Sequence, residues 1–288
     1  MSEEQNKLSR REWDMVLKPD PGWFNLHLAE VWRYRDLVKM FVHREFVSKY
    51  KQTVLGPLWY VIQPLLTSLI FTIIFNRVAR ISTDGVPPFL FYLAGNVTWM
   101  YFAKSLTDTS NTFVMNASIF GKVYFPRLTV PLAIVVANFI QFLIQFLIFM
   151  GFYAYSLWQG FSPDVNWLIL LLPVILLQMA VLSLGMGILI SSLVTKYRDL
   201  TMLMAFAVQL WMYATPVVYP LSLVPDKYRL AYMLNPMASV VEVFRMGFLG
   251  AGNVTVFEFF LSWAVTLAIL FVGLLLFNRI EKSFMDTV

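Results

Sequence analysis

The residues best suited to chemistry in this sequence are aromatic and polar rather than ionisable, and they recur three or four positions apart. This spacing places side chains on one face of a helix. Aromatic faces stack on sugar rings, and amide and hydroxyl groups exchange hydrogen bonds with them. The alternative is that these side chains make packing contacts between helices. We define the Tyr60 set (Tyr60, Gln63, Thr67 and Phe71) and the Gln209 set (Gln209, Met212, Tyr213 and Pro216).

Residues that commonly carry catalysis are scarce. The chain has no cysteine, and its two histidines, His27 and His43, precede the first long apolar segment. A metal site would have to use carboxylates alone, which is unusual for a catalytic metal. No GxxxxGK[ST] phosphate loop occurs, so the chain is not itself a P-loop ATPase. These absences argue against an enzyme, including a membrane-embedded glycosyl- or acyltransferase, and we predict no cofactor in this chain. A non-catalytic scaffold stays as an alternative.

The composition is that of an integral membrane protein. Of 288 residues, 59% are hydrophobic and 14% are charged, and the mean hydropathy is +0.67. A spanning helix needs about 20 mostly apolar residues, so we predict an all-α fold with six transmembrane helices. The predicted regions are a cytoplasmic N-terminal region at 1–54, a membrane domain at 55–277 and a cytoplasmic tail at 278–288. The six predicted spans are 55–75, 89–106, 131–155, 167–193, 200–218 and 256–277.

The polar residues inside the spans are almost all uncharged. No Asp, Glu, Lys, Arg or His lies near the middle of a span. Proton- and ion-coupled transporters usually carry such groups there, so any driving energy must come from another subunit. The second span is the least apolar, since it contains Asn96, Thr98 and Lys104. In the third span a polar stripe predicts hydrogen bonds between helices; its members are Asn138, Gln141 and Gln145.

The distribution of basic residues predicts that both ends of the chain are cytoplasmic. With six spans, the cytoplasmic segments would carry 17 Lys and Arg residues and the external segments 5. Cytoplasmic loops near spanning helices are enriched in Lys and Arg. The formal charge of +5 is therefore explained by topology, and no nucleic-acid partner is needed.

Two segments outside the spans are expected to have structure of their own. We predict an amphipathic helix before the first span, lying on the cytoplasmic lipid surface; the alternative is that it packs on the protein's own underside. The loop 219–255 is long and partly apolar, which predicts either a re-entrant segment or a small external cap. The apolar arc of the amphipathic helix comprises Val31, Tyr34, Leu37, Val38, Phe41 and Val42.

Several short motifs occur in the order found in one family of membrane proteins. They are 49–59 (KYKQTVLGPLW) followed by Gln63-Pro64, Ala94-Gly95 with Trp99, 122–127 (KVYFPR) with Pro131, 196–200 (KYRDL), Asn235-Pro236 and 281–284 (EKSF). Together they resemble the membrane subunits of polysaccharide and polyol-phosphate ABC exporters, the permeases for O-antigen, capsule and teichoic acid. The resemblance covers nearly the whole chain.

This resemblance implies a homodimer in the bacterial inner membrane, each subunit docked on a cytoplasmic ATP-binding subunit that holds ATP and Mg²⁺. The substrate would be a lipid-linked polysaccharide, with O-antigen the first choice and capsule or teichoic acid close behind. A drug exporter permease is the remaining alternative in this architecture. The export path would follow the dimer interface, with the Tyr60 set on one wall and the Gln209 set on the other.

The resemblance also assigns two contact regions on the cytoplasmic side. The coupling helix of the family corresponds to about 116–122, where Ile119, Phe120 and Lys122 would enter the ATP-binding subunit. Near the cytoplasmic entrance, basic side chains would attract the pyrophosphate of the lipid carrier, although simple anchoring to the membrane surface is the favoured explanation of these residues. These basic residues are Arg44, Lys49 and Lys51.

Overall fold

The structure, a computed structural model, describes residues 28–50, 56–120, 122–123, 125–194, 197 and 199–284. In these ranges the regular elements are eleven α-helices, three short 3₁₀ turns and one π-helical segment. The helices are α1 (Leu28–Arg33), α2 (Arg35–Tyr50), α3 (Trp59–Phe71), α4 (Pro88–Ser110), α5 (Thr112–Phe120), α6 (Thr129–Trp158), α7 (Leu172–Val194), α8 (Leu200–Tyr213), α9 (Asp226–Met233), α10 (Pro236–Leu249) and α11 (Val256–Phe284).

Short 3₁₀ and π segments extend several of these helices. The turn Gly56–Leu58 precedes α3, and the π-helical segment Thr72–Val78 continues it. The turn Trp167–Leu171 leads into α7, and Leu221–Leu223 lies between α8 and α9.

Four described segments are long and apolar enough to cross a membrane: Gly56–Val78, Thr129–Trp158, Trp167–Val194 and Val256–Arg279. They coincide with the first, third, fourth and sixth predicted spans. The other two predicted spans correspond to α4 and α8. With 23 residues, α4 is about 35 Å long, whereas α8 with 14 residues is about 21 Å long.

Helix α4 lies at the centre of the molecule, which explains why it is less apolar than the other long helices. It packs against α3, α6, α7, α8 and α10, and 16 of its 23 residues are buried. A polar side chain on such a helix finds protein partners instead of lipid. The Asn96 amide, for example, donates to the Pro64 carbonyl at 3.2 Å and to the Ser68 hydroxyl at 3.4 Å, both on α3.

Two of the three residues in the polar stripe of the third span make hydrogen bonds to another helix. The Asn138 amide of α6 donates to the Asp108 carboxylate of α4 at 3.2 Å, and the Gln145 amide donates to the Met100 sulfur at 3.7 Å. The same Asp108 accepts from Lys104 at 2.8 Å, one turn away on α4. The two ionised groups near the end of α4 are thus neutralised within the protein.

Close approach of α4, α7 and α11 depends on glycine. A Cβ at Gly187 of α7 would lie 2.5 Å from the Thr109 Cβ of α4. On the opposite side, a Cβ at Gly185 would lie 2.7 Å from the Leu270 Cα of α11. Both distances are shorter than van der Waals contact allows, so the absence of side chains at these positions sets the spacing of the three helices.

The amphipathic stretch forms α1 and α2, and its apolar arc packs against the protein. All six arc residues are buried or half-buried, and α2 packs along α6. The Phe41 ring lies 5.6 Å from the Phe125 ring. The arc therefore packs on the protein's own underside, which is the alternative named above, because the aromatic surface beside α6 offers it a protein partner. Trp32 and Met40 lie off the arc and are exposed.

Candidate functional site

The Tyr60 set follows one face of α3, but its members differ in exposure. Gln63 is exposed, and Tyr60 and Thr67 are half-buried. Phe71, at the end of α3, is buried with its ring 5.6 Å from Phe75 and 6.3 Å from Tyr92. The first three side chains are accessible in the protomer, whereas Phe71 is a packing residue, because α4 covers it.

The members of the Gln209 set also differ in exposure, and Pro216 lies beyond the end of α8. Gln209 and Tyr213 are exposed, Met212 is half-buried and Pro216 is buried. Of the 14 residues of α8, only Val208 is buried. The helix is attached to α4 mainly by an aromatic contact between Trp211 and two rings of α4. Those rings belong to Trp99, at 6.3 Å, and Phe102, at 5.1 Å.

Helix α3 carries the Tyr60 set and α8 carries all of the Gln209 set except Pro216, and both helices pack against α4. Each helix also presents large apolar side chains outward, and a contiguous surface of this kind must be covered by lipid or by protein. For α3 these are Leu66, Leu69 and Ile70, and for α8 they are Met202, Leu203, Phe206 and Leu210. The accessible part of each set therefore adjoins an uncovered apolar face.

The segment that follows α8 folds back into the protein. Thirteen of the 14 residues of α10 are buried, against α4, α7, α11 and the turn that precedes α7. Asn235 caps its first turn by accepting from the Met237 amide at 3.2 Å, and Gly250 ends it with φ of 68°. This helix is a core element of the molecule.

Two charged residues buried in α10 had no role assigned from the sequence. Glu242 and Arg245 are each 1% exposed, and the Arg245 guanidinium lies 3.6 Å above the Phe91 ring of α4. Its Nη1 and Nη2 atoms donate to the carbonyls of Pro216 and Val217, both at 2.6 Å. The sequence did hold a signal, since these are the only ionisable residues between 236 and 249.

A second ion pair joins α9 to the start of α11. Arg229 Nε donates to Glu258 Oε1 at 2.6 Å, and Arg229 Nη2 also donates to the Asn253 carbonyl at 2.6 Å. Hydrogen bonding to the Glu258 carboxylate raises the pKa of Arg229 above its usual value. This pair fixes the otherwise exposed helix α9 to the body of the protein.

The predicted docking residues at the end of α5 are only partly accessible. Ile119 is half-buried and Lys122 is exposed, but Phe120 is 2% exposed. Its ring packs 5.8 Å from both Phe113 and Phe125. Phe120 therefore belongs to an aromatic core and presents almost no surface to a partner. The exposed apolar side chains of this region are instead Val114, Met115 and Val123.

The basic residues assigned to the lipid carrier are described only in part. Arg44 is engaged within the protein. Its guanidinium donates to the Glu45 carboxylate at 3.0 Å and to the side-chain Oδ1 of Asn116 at 3.1 Å, and it lies 4.7 Å above the Phe41 ring. The Lys49 side chain and all of Lys51 lie outside the described residues. Arg44 thus fastens α2 to α5.

The family is decided by the match of residues 36–249 to the ABC-2 type transporter family. The chain belongs to this family. The matched region begins in α2 and ends at the last residue of α10, so it includes both sets, the exposed surface of α5 and the buried pair Glu242 and Arg245. Among the described residues of this ABC-2 protein, no group of three or more His, Cys, Asp or Glu is placed to hold a metal ion.

Curated relatives resemble nearly the whole chain. An O-antigen export system permease protein of Klebsiella pneumoniae is 30% identical over 253 residues, which are 87% of this chain and 94% of that protein. A protein of the same description from Myxococcus xanthus is 29% identical, covering 76% of this chain and 82% of its own length. A capsule polysaccharide export inner-membrane protein of Neisseria meningitidis is 22% identical, covering 90% and 97%.

Proposed function

We propose that this chain is the permease subunit of an ABC exporter that carries a lipid-linked polysaccharide, O-antigen as the first candidate, across the bacterial inner membrane. The observation that carries the proposal is the 30% identity with an O-antigen export permease over 87% of the chain. Capsule polysaccharide is the second candidate, favoured by the 22% identity with a capsule export protein over 90% of the chain.

The energy for export comes from a separate subunit in this proposal. The chain has no phosphate loop, so ATP and Mg²⁺ bind in a cytoplasmic partner, and hydrolysis there drives movement of the permease. Two such partners serve a permease homodimer. The role of this chain is to form the path and transmit the movement.

The proposed topology has six spans with both ends in the cytoplasm. Helix α4 is the second span, and α8 together with 214–218 is the fifth, since α8 alone is shorter than the roughly 30 Å hydrocarbon core. The burial of α10 against α4, α7 and α11 supports a re-entrant segment. Irregular backbone at membrane depth is tolerated where protein covers it, and α10 provides such cover for 214–218.

The proposed path runs between two copies of the chain. In the dimer, the uncovered apolar faces of α3 and α8 turn toward the second copy, and the accessible members of the two sets line the path. Uncharged aromatic, amide and hydroxyl groups suit a long glycan, because they exchange contacts with successive sugars without holding one tightly. Phe71 and Pro216 are excluded from this lining, because both are buried in the protomer.

The ATP-binding partner docks on the exposed surface of α5 and the turn after it. This surface consists of Val114, Met115, Lys122 and Val123, which are all exposed. Apolar side chains beside a cation fit an apolar pocket with an acidic rim. This surface takes the place of the buried Phe120 in the docking proposal.

Depletion of the chain in its native cell tests this function. We expect lipid-linked polysaccharide to accumulate on the cytoplasmic side and to disappear from the surface, because synthesis continues while export stops. The measurement is extraction of lipid-linked glycan and immunoblotting of surface polysaccharide, with a plasmid copy of the chain as control. Normal surface polysaccharide after depletion would contradict the proposal, and loss of capsule alone would favour the second candidate.

A further inference from the structure

The chain leaves α8 through a short buried segment that has no regular structure. Residues 214–217 follow the last turn of α8, and Thr215, Pro216 and Val217 are all buried. Here the backbone carbonyls have no helical donor, and proline at 216 supplies no N–H of its own. In apolar surroundings each such carbonyl must find another donor. We call residues 214–217 the elbow.

The Arg245 side chain supplies donors to the elbow. Its two terminal nitrogens bind two consecutive carbonyls, those of Pro216 and Val217, at 2.6 Å each. The second nitrogen also approaches the Phe91 carbonyl of α4 at 3.4 Å. A planar guanidinium with fixed donors on two separate nitrogens suits paired acceptors of this kind, whereas an ammonium group has all its donors on one nitrogen and does not match that geometry.

The partner carboxylate does not account for the position of Arg245. Glu242 Oε1 lies 3.5 Å from Arg245 Nη1, much farther than the two carbonyl oxygens at 2.6 Å. Charge-assisted N–H···O bonds are normally about 2.7–2.9 Å long. The guanidinium is therefore directed at the elbow, and Glu242 serves to balance its buried charge.

Asn235 fastens the other side of the elbow. Its amide nitrogen donates to the Thr215 hydroxyl at 2.8 Å and to the Ala214 carbonyl at 3.4 Å. Its amide oxygen accepts from the Met237 amide and so caps α10. Both ends of α10 thus hold the elbow, through Asn235 at its start and Arg245 near its end.

Helix α4 leaves room for this arrangement at one glycine. A Cβ at Gly95 would lie 2.6 Å from Arg245 Nη2 and 3.0 Å from the Val217 carbonyl oxygen. A side chain at 95 would therefore push the guanidinium away from the elbow. This contact gives a physical reason for glycine in the Ala94-Gly95 motif.

We infer that Arg245 is a positioning residue, which fixes the outer end of α8 to α10 so that the two move as one body during transport. This inference rests on the proposed function, in which α8 forms a wall of the path. The rest of α8 is thinly attached, with Val208 its only buried residue. The inner end of α8, near Met202, moves relative to α10, while the elbow stays fixed.

Spin labels test the fixed elbow directly. Cysteines at the exposed positions Tyr213 and Leu234 report on the two sides of the elbow, and cysteines at Met202 and Leu234 report on the inner end of α8. We expect the 213–234 distance to be the same in the nucleotide-free and ATP-bound transporter and the 202–234 distance to change. A change in the 213–234 distance between the two states would overturn the inference.

Substitutions at Arg245 and Gly95 test the positioning role by function. In the assembled transporter, Arg245→Lys and Gly95→Ala should each lower export per folded molecule about tenfold, the effect of losing one charge-assisted hydrogen bond. ATP hydrolysis should stay within about twofold of the wild type, because the docking surface is unaltered. Gly151→Ala is the matched control, since a Cβ there meets nothing within 4 Å.

The outcomes separate this inference from the proposed function. The positioning role is supported if the wild type and Gly151→Ala export glycan normally, while Arg245→Lys hydrolyses ATP at close to the wild-type rate but exports much less glycan per molecule. If Arg245→Lys and Gly95→Ala only reduce the amount of folded protein, and export per molecule is unchanged, Arg245 is merely structural. If hydrolysis and export fall in parallel, the inference is overturned as well. Absence of glycan export by the wild type would contradict the proposed function instead.

Discussion

Met115→Asp is expected to release the ATP-binding subunit and to reduce export at least about a hundredfold. Met115 is 75% exposed on α5, so the substitution leaves the fold of the permease intact. In the docked complex the new carboxylate would be buried without a partner, which costs about 3 kcal/mol or more and corresponds to roughly a hundredfold in affinity. Co-purification of the two subunits from detergent and a surface polysaccharide assay measure the effect.

The matched control is Met40→Asp, because Met40 is likewise an exposed methionine, 61% exposed on α2, and lies outside the proposed docking surface. This variant should retain the ATP-binding subunit. If Met115→Asp co-purifies as well as the control does, the subunit docks elsewhere. Phe120→Asp is a poor test of docking, because it places a charge in the aromatic core beside Phe113 and Phe125.

Cysteine labelling is expected to distinguish the path from the lipid-facing surface nearly completely. The chain contains no cysteine, so each introduced thiol is reported alone. Gln63→Cys and Gln209→Cys should react with a small, membrane-impermeant thiol reagent during ATP turnover, because both positions face the proposed water-filled path. Leu147→Cys should stay unreactive, since Leu147 on α6 is exposed in the protomer and faces lipid in the proposed arrangement.

One labelling pattern would contradict the proposed path. Protection of both Gln63→Cys and Gln209→Cys, with labelling of a position on another face, would remove α3 and α8 from the path. Phe71→Cys and Pro216→Cys are expected to be protected in either case, because the protomer buries both residues. They therefore report on packing rather than on the path.

The parts of the fold that were predictable from sequence are those in which one simple pattern decides the structure. Four long apolar segments correspond to four predicted spans, since the apolar character of a segment is what makes it stable inside a bilayer. The arc from Val31 to Val42 was correctly assigned to one helical face. Periodicity does not show whether lipid or protein covers that face, and in the structure the protein packs against it.

The parts that sequence reasoning missed depend on contacts between distant residues. Helix α4 has modest hydropathy because five helices surround it. The sequence of residues 88–110 does not show that these neighbours are present. In the sequence, Phe120 and Met115 look equally available on a short helix. The difference comes from distant rings, because Phe277 packs on Phe113 and Phe125 packs on Phe120. In the sequence, Arg245 counts only as one of the five basic residues outside the membrane. In the structure its guanidinium binds the carbonyls of Val217 and Pro216, which lie 28 and 29 positions earlier in the chain.

Reconstitution tests the central claim most directly. The purified chain and its ATP-binding subunit would be placed in proteoliposomes with lipid-linked O-antigen polysaccharide, and movement of the glycan across the bilayer would be followed by its accessibility to an added glycosidase. The account predicts ATP-dependent movement that needs both subunits, with no ATP hydrolysis by this chain alone. Robust ATP hydrolysis by the single chain would contradict it. So would ATP hydrolysis by the complex without any movement of the glycan.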